Sequence, residues 1–532
     1  MTSSSDTTSS SVYYDPYARH IVESPYPVYR RLREEAPLYY NAEYDFYAVS
    51  RYDDVRNGLQ DYKVFSSARG GILELIQQNV QMPPGTFIFE DPPRHSMYRP
   101  LAQRLFTPRR MHALEPQIRQ LAIDVLDPLV GRDEFDVIRD IGRELPMRVI
   151  GMLLGIPESE LQSVREITDS KMRTEEGKAL EFSDGMLNIE QSFGDYIDWR
   201  AKNPSDDATT ELLNVEFTDD TGTLRKLTRD ELITFFNMLA GAGNETTNRL
   251  IGWTCKTLAE YPEQRRELVN NPALIPDAIE EVLRLEPPGP HIARYVTQDT
   301  QLHGQTVPAG SAMLFLVGAA NHDEQMFTDP DRFDIHRPKR PGHTTFGFGV
   351  HTCIGNVLAR LEGRIVFEEL LKRIPEWDVD LDQAVLSPTS TVRGWDTLPA
   401  YVNAKGAQAI KARAARAQQA QNEPSTSAPA TLDGNWIVTV KGPTGPMDST
   451  LDLTSDSGVV SGTQTGEGTT TIIGEMTYNP TTGDVAWVNK IRKPMKMTLT
   501  FTGKVEGDTI RGKVKAGFMG SYPFTGNKRN GG

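Results

Sequence analysis

The 532-residue chain has only two cysteines, Cys255 and Cys353. Two thiols make no disulfide framework and no four-thiolate iron–sulfur cluster, and without a CxxC pair they make no tetrahedral thiolate zinc centre. Long apolar runs are also missing. The longest, "AMLFLVGAA" from Ala312 to Ala320, falls far short of the ~18 residues that cross a bilayer and reads as a buried strand. Positive charge is scarce. The 57 Lys and Arg stand against 72 Asp and Glu, a formal −15, which argues against general nucleic-acid binding, since that needs a basic surface. The opening "MTSSSDTTSSS" lacks the apolar core of a signal peptide. Residues 1–11 read as a disordered polar tail on a cytoplasmic protein with no membrane insertion.

What is present falls into three textures. Residues 12–403 mix helix-period segments with short strands. "LRKLTRDELITFFNMLAGAGNETTNRLIGWTCKTLAEY" is a long helical stretch with a capping box, Thr228 and Glu231, at its start. "PDAIEEVLRLEPP" is a second helix, closed by Pro287 and Pro288. Residues 404–431 are rich in Ala and Gln, then in Pro, Ser and Thr, the composition of a linker. Residues 432–532 break into eight strand-like pieces divided by Gly, Asn and Asp, which predicts a small all-β domain, a meander, sandwich or barrel. From Thr431 on, eleven basic and nine acidic residues give +2, so the preceding residues carry −17. The locally basic "KIRKPMKM" (residues 490–497) reads as a solvated hairpin or a contact for an acidic surface.

Cys353 lies in "FGFGVHTCIG". Gly347, Gly349 and Gly355 permit tight turns beside something flat, and Phe346 and Phe348 offer apolar cover to a sulfur. A thiolate there needs stabilisation, from backbone N–H groups or a metal. One thiolate suffices for haem iron, whose other ligands come from the porphyrin. The plainer reading is an inert buried cysteine in a Gly-rich turn, which leaves the surrounding loop unexplained.

The run Phe346-x-x-Gly349-x-His351-x-Cys353-x-Gly355, followed by "NVLAR", resembles the haem-binding signature of the cytochrome P-450 family, of the soluble bacterial type. The resemblance spans residues ~14–402 and implies a mainly α fold with small β-sheets, haem b (iron protoporphyrin IX) and Cys353 as the axial iron ligand. Phe346 and Gly355 would flank the cofactor. "EVLR" matches the ExxR helix, so Glu281 and Arg284 would form a buried lock with Arg337 of "FDIHRP"; an ordinary surface pair is the alternative. "DPPRHSMYR" matches a haem-contacting helix. Its His95 and Arg99, one turn apart, would join Arg294 and His351 in holding the two haem propionates through charge-assisted bonds. Pro100 stands where the family often has another arginine.

In "LAGAGNETTNRL" the family's acid–alcohol pair falls on Glu245 and Thr246. Thr246 would organise a water and Glu245 relay protons from bulk. The alternative is a solvated Glu and a Thr bonded back to a carbonyl one turn earlier. Peroxide-using relatives often have Arg-Pro here, so Glu-Thr favours O2 with external electrons. No flavin or nicotinamide domain is attached, and the cysteine-free C-terminal region cannot be an iron–sulfur ferredoxin. The resemblance therefore implies a separate ferredoxin and an NAD(P)H-dependent ferredoxin reductase. Arg104, Arg109 and Arg110 are candidates for the docking patch, or else a solvated helix face. It also implies an apolar substrate pocket walled by Phe87, Phe236, Leu239, Ala242, Ile292 and Trp395, with His291 as a polar handle, for a lipophilic small molecule. The expected activity is monooxygenation by hydroxylation or epoxidation. The competing readings are a haem-thiolate peroxygenase or isomerase, and a haem sensor or carrier whose output is the β domain, whose own partner the residues do not name.

Overall fold

The computed structural model describes residues 12–158, 161, 178–180, 190–389 and 391–402, then 432–442, 445–456, 459–466, 469–473, 476–479, 483–491, 497–516 and 521–529. The polar tail 1–11, the linker 404–431 and the middle of "KIRKPMKM" lie outside the described residues. The chain divides into two compact units, Met1–Ala412 and Arg413–Gly532.

Five helices organise the first unit around the candidate site: α1 (Arg94–Gln103), α2 (Leu145–Leu154), α3 (Arg229–Glu260), α4 (Ile275–Leu285) and α5 (Asn356–Arg373). At 32 residues α3 runs about 48 Å. It begins as its capping box dictates. The Glu231 N–H donates to Thr228 Oγ1 at 3.2 Å, and the Thr228 N–H donates to Glu231 Oε2 at 2.7 Å. The residues before the cap do not join the helix; Leu224–Lys226 pairs as a strand with Glu216–Thr218. Tyr98 of α1 donates to Glu231 Oε1 at 2.6 Å, which pins α1 to the start of α3. Gly243 has a packing reason. A Cβ there would come within 2.7 Å of Ile150 Cδ1 on α2, so the two helices meet only because the side chain is missing.

A five-stranded sheet flanks the helices: β1 (Leu38–Asn41), β2 (Phe46–Val49), β3 (Phe65–Ser66), β4 (Ile292–Val296) and β5 (Ala312–Phe315), in the order β1-β2-β5-β4-β3. The apolar run from Ala312 to Ala320 is thus strand only as far as Phe315. It continues into a short helix, Val317–Ala320, with every residue buried. Uniform burial removes the alternation that marks a strand, so the pattern could not locate the change.

The second unit is a nine-stranded antiparallel sheet, β6 (Gly434–Gly442), β7 (Gly445–Asp456), β8 (Val459–Gly466), β9 (Thr469–Ile472), β10 (Met476–Tyr478), β11 (Asp484–Ile491), β12 (Met497–Glu506), β13 (Thr509–Ala516) and β14 (Ser521–Lys528). Their order is β9-β8-β7-β6-β14-β13-β12-β11-β10. The two edge strands are sequence neighbours, with only residues 473–475 between them. Laid flat, nine strands would separate those edges by about 38 Å at the usual strand spacing. Four residue steps reach only about 14 Å, so the sheet curls into a nearly closed barrel. Trp436, Val438, Leu451, Leu453, Trp487, Phe501, Ile510, Val514 and Phe524 fill it. "TIIGEMTYN", which reads as one strand, is split between β9 and β10, where the barrel's edges face each other.

Candidate active site

The Cys353 loop is held from three sides. Gly349 takes φ +72, and a Cβ on it would lie 3.0 Å from the Gln60 Cα, so a left-handed turn is pressed against a neighbouring backbone. The Cys353 N–H donates to the Phe346 carbonyl at 2.8 Å and closes the loop. Behind it, the Arg360 guanidinium of α5 lies 4.4 Å from the Phe346 ring centroid and bonds Glu280 of α4 at 2.5 Å. His343 reaches the same carboxylate at 3.3 Å. Burial alone would raise the Glu280 pKa, but His343 and Arg360 hold it down at about 2.

The two thiols differ. Cys255 is fully buried, and desolvation drives its pKa far up. Cys353 is solvent-accessible although protein surrounds it closely. Burial raises its pKa, while the Gly355 N–H and the guanidinium groups of Arg99 and Arg360 oppose the rise. Gly355, whose Cβ position lies 4.0 Å from Sγ, also opens α5. A thiolate here therefore has one backbone donor and two cations at hand.

The four proposed carboxylate holders converge. The His95 and His351 rings lie with centroids 4.5 Å apart and planes tilted by 59°, and each has a buried Nε2 with no hydrogen-bond partner. Arg99 donates to the Thr352 carbonyl, and Arg294 donates to the Ala293 carbonyl at 2.8 Å. Burial, helped by His351 and Arg99, lowers the His95 pKa to about 4, and burial lowers Arg294 to about 10. Asp91, 3.6 Å from His351 Nε2, is the nearby acid that works against these shifts. A cluster of enclosed donors, each pushed toward its neutral form, suits an added anion with two carboxylates. With the Cys353 thiol close enough to Arg99 to feel its charge, the donor set fits a haem.

On α3, Ala242 is exposed and Thr246 partly so, while Glu245 is buried at 6 % exposure. Thr246 Oγ1 donates to the Ala242 carbonyl. Glu245 Oε2 accepts from Arg249 Nη2 at 2.9 Å, an ion pair within one turn of helix. Sequence reasoning passed over Arg249; its signal was the i, i+4 spacing to Glu245, which is common on exposed helices.

The residues expected to wall a substrate pocket do not all share one face. Phe87 packs on Phe235 (5.6 Å between centroids) and lies 6.4 Å from His95. Phe236 turns toward Phe193 at 5.6 Å and Tyr196 at 6.2 Å. Leu239 is buried, and Ile292 in β4 reaches to within 3.8 Å of the Gly347 Cβ position. Trp395 stands apart. Its ring lies 5.3 Å from Trp253 and against Gly252, nearly two turns beyond Thr246, with Nε1 buried and unpartnered. His291 is enclosed rather than solvated, with Nδ1 unpartnered and its pKa lowered by burial.

Glu281, Arg284 and Arg337 form a buried cluster. Arg284 Nε and Nη2 each donate to Glu281 at 2.8 Å, and Arg337 Nε donates to Glu281 Oε1 at 2.8 Å. Arg284 Nη1 donates to the Asn321 carbonyl at 2.8 Å, and Asn321 Oδ1 accepts the Thr344 N–H at 2.7 Å. Thr344 in turn accepts the Gly347 N–H, so bonded groups connect the ion pair to the cysteine loop. Of the three arginines considered for docking, Arg110 is committed to Glu211 at 2.6 Å, while Arg104 and Arg109 are exposed.

A family model described as Cytochrome P450 matches residues 182–392, ending before the barrel. "Putative cytochrome P450 123" of Mycobacterium tuberculosis is 35% identical over 395 residues, which are 74% of this chain and 97% of that protein. The solved structure of cytochrome P450 CYP109Q5 from Chondromyces apiculatus superposes with a TM-score of 0.65 at 32% identity, covering 74% of this chain and 99% of the other. P450BioI, solved in complex with hexadec-9Z-enoic acid ligated acyl carrier protein, gives 0.64 at 31% identity, covering 72% and 100%.

Proposed function

The chain belongs to the cytochrome P450 family, a haem-thiolate monooxygenase by membership, and on that premise we propose that it oxidises a lipophilic small molecule with electrons from separate redox proteins. The proposed net reaction is R–H + O2 + 2 e⁻ + 2 H⁺ → R–OH + H2O, or the corresponding epoxidation of a C=C bond. The electrons come from NAD(P)H through a ferredoxin reductase and a ferredoxin. The observation that carries this reading is the accessible Cys353 thiol braced in its loop, on a chain whose α3 bears the Glu245–Thr246 pair.

When bound, the haem supplies O2 binding and activation at iron, with a thiolate that favours O–O cleavage. In this reading Cys353 would ligate the iron, with Phe346 and Gly355 beside it. His95, Arg99, Arg294 and His351 hold the propionates, since two carboxylates would meet the unpartnered imidazole nitrogens. The Glu281–Arg284–Arg337 cluster keeps the cysteine loop in place through Asn321 and Thr344. Thr246 accepts a water at its free lone pair, because its proton is committed to Ala242. Glu245 passes protons toward that water. The apolar side chains of Phe87, Leu239, Ala242 and Ile292 favour a lipophilic substrate, and the fatty-acyl cargo of P450BioI is consistent with that class.

Residues 12–403 make the proposed haem domain, 404–431 a linker and 432–532 a separate β domain with no residue in this chemistry. Among the described residues no helix is long and apolar enough to cross a membrane, and a cytoplasmic location is part of the proposal. The test is turnover with ferredoxin, reductase and NAD(P)H under 18O2, on lipophilic compounds that displace the iron-bound water in the haem spectrum. The expected product carries one labelled oxygen and forms only with the reductase chain. Full-rate product formation with hydrogen peroxide and no reductase would replace this reading with a peroxygenase.

A further inference from the structure

The side chain of Arg249 makes contacts out of proportion to a surface ion pair. It is 3 % exposed. Nη2 donates both to Glu245 Oε2 at 2.9 Å and to Ser387 Oγ at 3.1 Å. Nη1 donates to the Trp395 carbonyl and lies 3.6 Å from Asp396 Oδ1. Ser387, Trp395 and Asp396 all belong to one hairpin, whose strands Val385–Leu386 and Trp395–Thr397 pair antiparallel. The arginine is admitted there by Gly394, where a Cβ would fall 2.5 Å from Arg249 Cδ. One guanidinium therefore joins the carboxylate next to Thr246 to a hairpin more than 130 residues further along the chain.

A carboxylate this enclosed needs a partner, and its bond partners decide where its oxygens point. Glu245 accepts from Arg249, and Arg249 is fixed in turn by two side-chain or backbone oxygens of the hairpin and a third nearby. We propose that Arg249 is a positioning residue for proton delivery, holding the Glu245 carboxylate in register with Thr246 by anchoring it to the Val385–Thr397 hairpin. The proposal rests on the monooxygenase reading above, in which Glu245 relays protons. Trp395 thus contributes through its carbonyl and its packing on Trp253, and the hairpin acts on the chemistry from behind α3.

The test separates positioning from general damage, using the full-length haem-loaded protein. In Arg249→Gln, product formed per NAD(P)H consumed should fall by about tenfold, less than the roughly 10²–10⁴-fold that a proton donor itself contributes because Arg249 only positions one, with the missing electrons recovered as hydrogen peroxide. Turnover driven by added peroxide (R–H + H2O2 → R–OH + H2O) should stay within about twofold, because peroxide brings its own protons. Arg249→Lys should restore part of the coupling. Independently of turnover, hydrogen exchange of residues 385–397 should quicken in Glu245→Gln and in Ser387→Ala, each of which removes one side of the anchor while keeping the arginine. Wild-type coupling in Arg249→Gln, an equal fall in both kinds of turnover, or unchanged exchange in the hairpin of Glu245→Gln would overturn the proposal. If the wild-type protein itself fails to use the reductase chain, the monooxygenase reading falls, and the exchange measurement still decides whether the anchor exists.

Discussion

The Thr246 hydroxyl donates to the Ala242 carbonyl one turn back, at 2.7 Å. The bond uses the donor and leaves oxygen lone pairs directed at the exposed face of α3, where Ala242 adds no bulk. A serine can make the same bond; an alanine cannot.

Thr246→Ala should keep the thiolate-type spectrum of the reduced CO complex and still bind substrate, while most NAD(P)H is diverted to peroxide. Thr246→Ser should stay coupled. Product per NAD(P)H measures both. Equal coupling in the alanine variant would remove the hydroxyl from proton delivery.

Cys353→Ser should abolish the thiolate-type CO spectrum, and Cys255→Ser should not change it. In haem-free folded protein an alkylating reagent should label Cys353 and spare Cys255, which is buried with its thiol pKa driven up. Mass spectrometry of the labelled peptides checks the assignment.

Glu281→Gln leaves the Arg284 guanidinium, 3 % exposed, without its counter-charge. Breaking one side of such a buried pair costs on the order of 3–5 kcal/mol. Denaturant unfolding should show that loss, accompanied by lower haem retention, since the path from Arg284 through Asn321 and Thr344 ends at the cysteine loop. Removing Lys339, whose bond to Asp277 is at the surface with the lysine 77 % exposed, should leave the unfolding midpoint and haem retention unchanged.

Haem-free protein should lose stability as the pH falls from about 6.5 toward 4. His95 binds its proton more weakly in the folded state, at about 4 against an ordinary 6.5, because of burial and the neighbouring His351 and Arg99. The unfolded chain takes up that proton first, so the stability His95 contributes is complete above 6.5 and lost through this window. His322, held near 3, also takes up its proton more readily on unfolding. The relevant measurement is thus the difference between wild type and His95→Gln, whose melting temperature should vary less with pH.

Trp487 stacks on Phe501, with centroids 4.6 Å apart and planes at 4°, and meets Phe524 edge-on at 5.5 Å. Trp487→Ala should cost the barrel about 3–5 kcal/mol. If the barrel is a separate domain, calorimetry of the full chain should show one transition moving and the haem-domain transition unmoved. A common shift of both would contradict the proposed division.

Sequence patterns could announce what short-range chemistry encodes. The capping box at Thr228 and Glu231, the three-residue spacing of Glu281 and Arg284, and the glycines around Cys353 all act between neighbours on the chain, and each is found in place. The short strand-like pieces of the tail, divided by Gly, Asn and Asp, likewise foretold strands, because those residues mark turns. The family resemblance placed residues in roles, but it did not say which side chains would touch.

Only the tertiary structure decided the rest. Glu245 and Arg249 look like any i, i+4 pair until the hairpin at Val385–Thr397 buries them and supplies the remaining acceptors. Trp395 is expected from the sequence in a pocket wall, and its contacts with Trp253 and Gly252 are set by the fold. The break between β9 and β10 follows from closing the barrel, a demand made by all nine strands together. Local patterns record which face of an element is apolar. What that face meets depends on packing and chain connectivity, and contacts between residues far apart in the chain leave no periodic trace in the sequence.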